Sequence, residues 1–187
     1  MSYDREVNAV RSRAYGFLYF LLTVAAVIIV LKTLNWLPLV LQQDTMRRYG
    51  SVEEVKAKLN IKDLYVPTYF PQSITWPPSE ILAQAKPYPA VLMVFNQAGK
   101  RDVALVISQT ASGAFSGNEF IKLIKITETV PYHFKDGTAL LEVGTCKNDE
   151  PCSRLSWTEG SYRLTAVMKS PPFELIRIAE SMESMLH

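Results

Sequence analysis

The residues whose type and spacing most directly suggest chemistry are the two cysteines. Cys146 and Cys152 enclose the polar pentapeptide KNDEP, and no other cysteine occurs among the 187 residues. Two thiols this close on a polar loop form a disulfide in an oxidising compartment. A redox-active pair or a metal site is the alternative, but zinc usually takes four ligands, and His133 and His187 have no ligand spacing to the cysteines. We therefore predict a structural, extracytoplasmic disulfide.

His133 is the candidate for a general base. It lies between Tyr132 and Phe134, and no partner for proton transfer can be identified from the sequence. We therefore expect His133 to be a packed residue of a strand. The chain also lacks the G-x-S-x-G, P-loop, H-E-x-x-H and C-x-x-C-H motifs. We predict that the protein is not an enzyme and uses no cofactor and no metal.

The elements that must position these residues begin with an apolar stretch at residues 14–41. Its first 18 residues, 14–31, carry no charge, which corresponds to about 27 Å of helix against a hydrocarbon core of roughly 30 Å. We predict an uncleaved transmembrane helix. A cleaved signal peptide and a buried core helix are the alternatives, although the run exceeds a typical signal h-region and no small-x-small site follows it.

The orientation of this helix depends on the cysteines. Basic residues flank both ends equally, so the positive-inside rule does not decide. A disulfide requires the C-terminal part to lie outside the cytoplasm. We predict a single-pass inner-membrane protein with a cytoplasmic tail at 1–13, an anchor and interfacial segment at 14–41, a connector at 42–50 and an extracytoplasmic domain at 51–187.

Several side chains of the anchor fit a membrane interface. Aromatic rings near both ends match the aromatic belts, and a lysine at the outer end can reach the headgroups; these residues are Tyr15, Tyr19, Phe20, Lys32 and Trp36. Ala25 and Ala26 form a small patch that another helix can approach closely, with a lipid-facing pair as the alternative. Phe115, the one large residue of the glycine-rich segment 110–118, is a second candidate for a partner contact.

The charge distribution disfavours one class of partner. The net charge of +2 lies within the first 41 residues, and the remaining chain has equal numbers of basic and acidic residues. A nucleic-acid-binding domain normally carries a basic excess. We expect other membrane protein subunits and the lipid bilayer as partners, and no nucleic acid; a small-molecule ligand is left open.

The remaining pattern predicts a domain of α+β class. Ser51 and Glu54 have capping-box spacing, which indicates a helix running to about Leu59. The apolar runs 90–95 and 103–107 are typical of a hairpin of central strands buried on both faces, while 119–126 is ambiguous between helix and strand. Residues 138–143 also have a strand pattern.

The C-terminal part predicts a second hairpin and a last helix. Residues 153–158 and 162–168 alternate around a Glu159–Gly160 turn, with Leu155, Trp157, Tyr162, Leu164, Ala166 and Met168 facing inward. Ser170 is the expected N-cap ahead of Pro171 and Pro172, and apolar residues then repeat at helical spacing at Leu175, Ala179, Met182 and Leu186.

Aromatic residues and prolines alternate over residues 65–89. Proline forbids helix in this stretch and favours extended edge or loop structure. The stretch can line a ligand groove, dock on a protein or simply cover the edge of the sheet, and the sequence leaves these three alternatives open.

Two segments of the chain resemble a known type of domain. Residues 51–71, a helix followed by YVPTYFP, and residues 155–182, with LSW, YRLTAVM and FELIRIAESM, resemble an extracytoplasmic domain of unknown function found in bacterial membrane-anchored and anti-sigma-like proteins. That family is similar to the periplasmic lipoprotein-carrier fold. The resemblance implies a curved, mainly antiparallel sheet with helices on one side, and no catalytic residues. The chain departs from the anti-sigma pattern in that no cytoplasmic zinc-finger module precedes the apolar stretch, and this departure weighs against an anti-sigma role.

These observations lead to three functional hypotheses. The first is a non-catalytic, single-pass accessory subunit of a larger bacterial membrane complex that docks through its span and its extracytoplasmic domain. The second is a membrane-anchored sensor or binding protein with an apolar ligand groove, with a possible regulatory role. The third is an enzyme that uses His133.

Overall fold

A computed structural model of the chain describes residues 22–32, 46–61, 63–111 and 120–185. The chain divides into two compact units, Met1–Thr45 and Met46–His187. In the first unit, the described residues 22–32 are helical and form α1, whose side chains are exposed; Ala25, Ala26 and Lys32 lie on it. Tyr15, Tyr19, Phe20 and Trp36 lie outside the described residues, as do both ends of the predicted span.

The described residues contain no helix that combines the length and the apolar character needed to cross a bilayer.

The second unit is built on an antiparallel sheet of eight strands in the order β1-β3-β4-β5-β9-β8-β7-β6, with a separate antiparallel pair, β10-β2. Its strands are β1 (Arg47–Tyr49), β2 (Tyr65–Pro67), β3 (Glu80–Gln84), β4 (Ala90–Asn96), β5 (Val103–Thr110), β6 (Lys125–Phe134), β7 (Gly137–Thr145), β8 (Pro151–Glu159), β9 (Tyr162–Met168) and β10 (Met182–Ser184). Its helices are α2 (Val52–Leu59) and α3 (Pro172–Glu180), and a 3-10 turn covers Lys147–Asp149. The predicted α+β class and mainly antiparallel sheet are confirmed.

Helix α2 begins as its capping signal predicts. The Ser51 side chain accepts a hydrogen bond from the Glu54 amide at 3.2 Å, and the Glu54 carboxylate accepts one from the Gly50 amide at 2.7 Å. These two bonds satisfy N–H groups that a helix start leaves free. The helix ends at Leu59, and its C-cap residue, Asn60, adopts the left-handed conformation at φ 51°.

The central hairpin β4–β5 explains why its apolar runs do not alternate. Val91, Met93 and Phe95 enter one apolar cluster, whereas Leu92 and Val94 enter another. Successive side chains of a strand point to opposite faces, so a strand covered on both faces is continuously apolar. The prediction of central strands buried on both faces is confirmed.

The larger cluster lies between the sheet and the two helices. Val52 and Val55 of α2 and Leu175, Ile178 and Ala179 of α3 are buried in the same cluster as the inward residues of β8 and β9. Helices α2 and α3 therefore pack on one side of the sheet. The predicted inward residues of the second hairpin are confirmed: Leu155, Trp157, Tyr162, Leu164, Ala166 and Met168 are all buried.

The smaller cluster occupies the opposite face of the central strands. Leu92, Val94, Val106 and Val167 meet Ile121 there, together with Cys146 and Cys152. The two cysteines form the predicted disulfide, with their Cα atoms 5.7 Å apart. Their loop is polar, but both cysteines are buried, so the bond helps to cover this face.

The last strand of the sheet order, β6, settles the ambiguity at 119–126. Residues 120–124 form no regular element, and β6 begins at Lys125. A Cβ atom on Gly144 would lie only 2.0 Å from the Lys125 carbonyl oxygen, so the backbone of β6 can approach β7 this closely only at a glycine. The pairing then shifts register between Ile126 and Glu128.

Three boundaries differ from the sequence predictions. Strand β1 lies inside the predicted connector 42–50 and pairs with β3. The residue that precedes α3 as its cap is Pro171 and not Ser170. Helix α3 ends at Glu180, and Met182 belongs to β10, where it lies opposite Pro67. The prediction that Met182 is part of the last helix, made from its helical spacing, is therefore wrong. Leu186 lies outside the described residues.

Candidate functional site

A half-exposed aromatic cluster sits at one margin of the main core. The ring of Phe70 lies 4.9 Å from that of Trp76 and 5.2 Å from that of Phe95, and the rings of Trp76 and Phe95 are 6.2 Å apart. Phe95 is fully buried, whereas Trp76 is 49% exposed. The cluster is therefore buried at Phe95 and exposes an aromatic ring to solvent at Trp76.

The backbone around Trp76 is fixed against β4. Thr75 donates to the carbonyl of Asn96 at 3.0 Å, and Ser79 donates to that of Val94 at 2.8 Å. Ile74 forms an isolated bridge with Gln97. Hydrogen bonds on both sides hold Trp76 in place, so its exposure is not that of a free loop residue.

Trp76 borders a cleft of about 260 Å³ formed by segments distant in the sequence. Its walls come from the start of α2, from β2 and from the C-terminal strand β10. The lining residues are Val52, Glu53, Val66, Pro67, Thr68, Trp76, Glu183, Ser184 and Met185. Apolar walls with a few polar groups are typical of binding sites.

The wall made by β2 and β10 is tied to α3. Thr68 donates both its amide and its hydroxyl to the Ser181 carbonyl, at 3.1 and 2.9 Å. The Tyr69 hydroxyl donates to Glu174 at 3.0 Å, and the Arg177 guanidinium lies 4.4 Å from the Tyr69 ring centre. Desolvation, followed by that hydrogen bond, raises the pKa of Tyr69. Tyr69 therefore stays a neutral donor at physiological pH.

The charged side chains of the lining are both acidic. Glu53 and Glu183 are exposed at the cleft. A backbone hydrogen bond, followed by one with Ser51, lowers the pKa of Glu53, so this carboxylate is ionised at neutral pH. The nearby ammonium of Lys56 is engaged with the Met185 carbonyl oxygen at 2.5 Å.

The residues that line the cleft include no paired nucleophile and base. Of the cleft's two hydroxyl side chains, Thr68 donates to the Ser181 carbonyl, and Ser184 Oγ is buried with no hydrogen-bond partner among the described residues. A nucleophile needs an adjacent base to be activated, and the lining contains no histidine or lysine. Across the described ranges, no three His, Cys, Asp or Glu residues gather as metal ligands.

The structure separates the residues that the sequence singled out. His133 lies on β6 opposite Thr138 and is exposed, so the expected packing of its side chain is wrong. The disulfide belongs to the opposite face of the sheet and does not meet the Trp76 cleft. Phe115 lies outside the described residues.

Part of the stretch 65–89 lines the cleft. Val66, Pro67, Thr68 and Trp76 come from that stretch. Glu53, Glu183, Ser184 and Met185 were missed, because only tertiary structure brings them to the stretch. The one available signal was the capping box, which places Glu53 in the exposed first turn of α2.

In two other clefts the basic side chain is already paired within the chain. One of about 320 Å³ contains Lys169, which is already paired with Asp102 at 2.9 Å and lies 3.8 Å from Glu150. Another of about 210 Å³ lies at the hairpin ends, where Lys135 donates to the Met182 carbonyl oxygen at 2.9 Å and pairs with Glu159 at 3.4 Å. In both, the cation already has acidic or carbonyl partners from the chain itself.

Comparison of the chain with protein-family models, with characterised proteins and with solved structures finds no match.

Proposed function

We propose that this protein is a non-catalytic, single-pass accessory subunit of a larger bacterial membrane complex, with its N-terminus in the cytoplasm and its α+β domain outside. The observation that carries the proposal is the half-exposed Trp76 over a mainly apolar cleft. Buried aromatic anchors dominate the energy of protein interfaces, and a tryptophan held at a cleft is suited to that role. The cleft is the docking site of the domain in this proposal.

The anchor supports the same proposal from the sequence. Its uncharged 18 residues suit a span, and the residues between it and β1 are few. A short connection raises the effective concentration of the domain for a partner that the span also contacts. Span and domain then act together on one membrane-embedded partner.

Native co-purification in mild detergent tests the docking role of the domain. Trp76→Ala should lower recovery of the partner at least tenfold while the protein stays folded and membrane-associated. Phe173→Ala is the matched control, because Phe173 is 78% exposed but lies outside the cleft. Equal loss in both variants, or no loss in either, would contradict docking through the cleft.

Exchange of the anchor tests the role of the span. Replacing residues 16–31 with polyleucine should weaken association with the partner without unfolding the domain, since polyleucine lacks the small patch at Ala25 and Ala26. Recovery at the wild-type level would show that the segment is a tether only.

A membrane-anchored binding protein or sensor is the second candidate. It is favoured by the apolar lining and the volume of the cleft, which is sufficient for a small apolar group. In that case, organic extraction of the purified protein releases a bound molecule, and Trp76→Ala abolishes its retention. An empty extract together with a Trp76-dependent protein partner favours the accessory subunit.

A further inference from the structure

The Trp76 cleft combines an aromatic ring with two carboxylates. Trp76 supplies a half-exposed ring, while Glu53 and Glu183 are the charged residues of the lining. A tryptophan face attracts cations through its quadrupole, and indole is the strongest of the aromatic side chains in this respect. Carboxylates beside such a ring add attraction for a positive charge.

The groups around the cleft leave this negative charge in place. Lys56, the cation nearest along α2, donates to the carbonyl oxygen of Met185, a lining residue, and not to Glu53 or Glu183. Glu54 is held separately by Lys58 at 2.7 Å and by the Gly50 amide. Glu53 lies in the first turn of α2, where a backbone hydrogen bond, followed by one with Ser51, lowers its pKa and keeps the carboxylate ionised.

We propose that the Trp76 cleft receives a lysine or arginine side chain of the partner subunit, with its aliphatic stem on the apolar walls and its cationic head between Trp76, Glu53 and Glu183. The apolar lining suits a stem of methylene groups, and long basic side chains bury such stems while their heads remain near water. A neutral apolar side chain would gain nothing from the two exposed carboxylates, whereas a cationic head would be attracted to both. This inference rests on the proposed docking role of the cleft and specifies the chemistry of what docks.

A pair of probes with nearly the same shape tests the charge requirement. The full chain, labelled with 5-fluorotryptophan and placed in nanodiscs of zwitterionic lipid, gives signals from three tryptophans, and Trp76→Phe assigns one of them. Methylguanidinium should shift the Trp76 signal at a concentration at least about tenfold lower than methylurea, which lacks the charge. In the double variant Glu53→Gln, Glu183→Gln, methylguanidinium and methylurea should shift the Trp76 signal at the same concentration. Glu180→Gln is the control, because Glu180 is exposed but lies outside the lining, and it should leave the difference between the two probes unchanged.

A crosslinking experiment in native membranes identifies the source of the cation. With p-benzoylphenylalanine in place of Thr68, which lines the cleft, the crosslinked peptide should come from a protein and contain a lysine or arginine close to the attachment point. Glu53→Lys with Glu183→Lys should reduce this crosslink at least tenfold, and reversing the partner's basic residue to glutamate should restore it.

The outcomes separate this inference from the proposed function. Equal responses to methylguanidinium and methylurea, or a partner peptide without a basic residue, overturn the cationic side chain but leave docking at Trp76 intact. A crosslink to a small molecule alone overturns both and favours the sensor. If charge reversal in the partner does not restore the crosslink, the carboxylates do not recognise that side chain.

Discussion

The two described tryptophans lie in aromatic clusters on the same apolar core, yet only one of them is closed. Trp157 packs on Phe134 with ring centres 5.1 Å apart and is 4% exposed. Trp76 packs on Phe70 and Phe95 at similar distances and is 49% exposed. Similar contacts therefore serve different ends: the closed cluster stabilises the sheet, and the open cluster leaves an aromatic face available for binding.

The largest effect on stability should come from removing the ring of Trp157 from the closed cluster. Trp157→Ala should lower the free energy of unfolding by about 3 to 5 kcal/mol, because it leaves a large cavity in the core. Chemical denaturation of residues 46–187 measures this, since the core of that unit is made within it.

Trp157→Phe sharpens the same comparison. The Trp157 Nε1 is buried with no hydrogen-bond partner among the described residues, so phenylalanine removes an unsatisfied donor while it keeps most of the ring. It should cost much less than alanine. If both variants unfold at the same denaturant concentration, ring packing is not what Trp157 contributes.

Loss of the disulfide should have the next largest effect. Cys146→Ser with Cys152→Ser should lower the free energy of unfolding by about 2.4 kcal/mol on the chain-entropy estimate for this short loop. The 19F signal of Trp76 should not move, because the bond lies on the opposite face. A shift of that signal would show that the open cluster depends on both faces of the sheet.

Trp76→Ala should cost at most about 1 kcal/mol of stability, because half of the side chain is already in water. Its main effect should be on partner recovery. A loss as large as that of Trp157→Ala would show that the open cluster is a stability element after all.

Ser184→Ala should have the smallest effect on stability. The hydroxyl has no hydrogen-bond partner among the described residues, so its removal breaks no bond and relieves a buried polar atom. Stability unchanged or slightly raised is the expected result by thermal unfolding. A clear loss would reveal a partner for this hydroxyl.

Local signals predicted the parts of the domain that depend on near neighbours in sequence. The capping residues of α2, the alternation in β8 and β9 and the disulfide needed only short spacings, and each is present. Met182 fits a helical repeat equally well, but Ser181 caps α3 and the chain then pairs with β2, which local spacing cannot reveal.

The cleft was harder to predict for the same reason. Its walls join residues 52–53, 66–68, 76 and 183–185, so more than 100 residues separate its two ends in the chain. Periodicity and composition describe each wall alone and do not say which walls meet. Proline and aromatic content did mark one wall, because those residues exclude helix and cover an edge.

The close approach of the β6 backbone to Gly144 also bears on aggregation. Strand β6 ends the sheet order with ten residues, most of them exposed, and such an edge can recruit strands from other copies of the chain. A side chain at 144 would collide with the Lys125 carbonyl, so the observed pairing of β6 with β7 depends on glycine at this position. The register shift after Ile126 breaks the regular edge, and Pro131 presents no N–H to an incoming strand. A single glycine thus helps to keep a long, exposed edge from becoming a template for polymerisation.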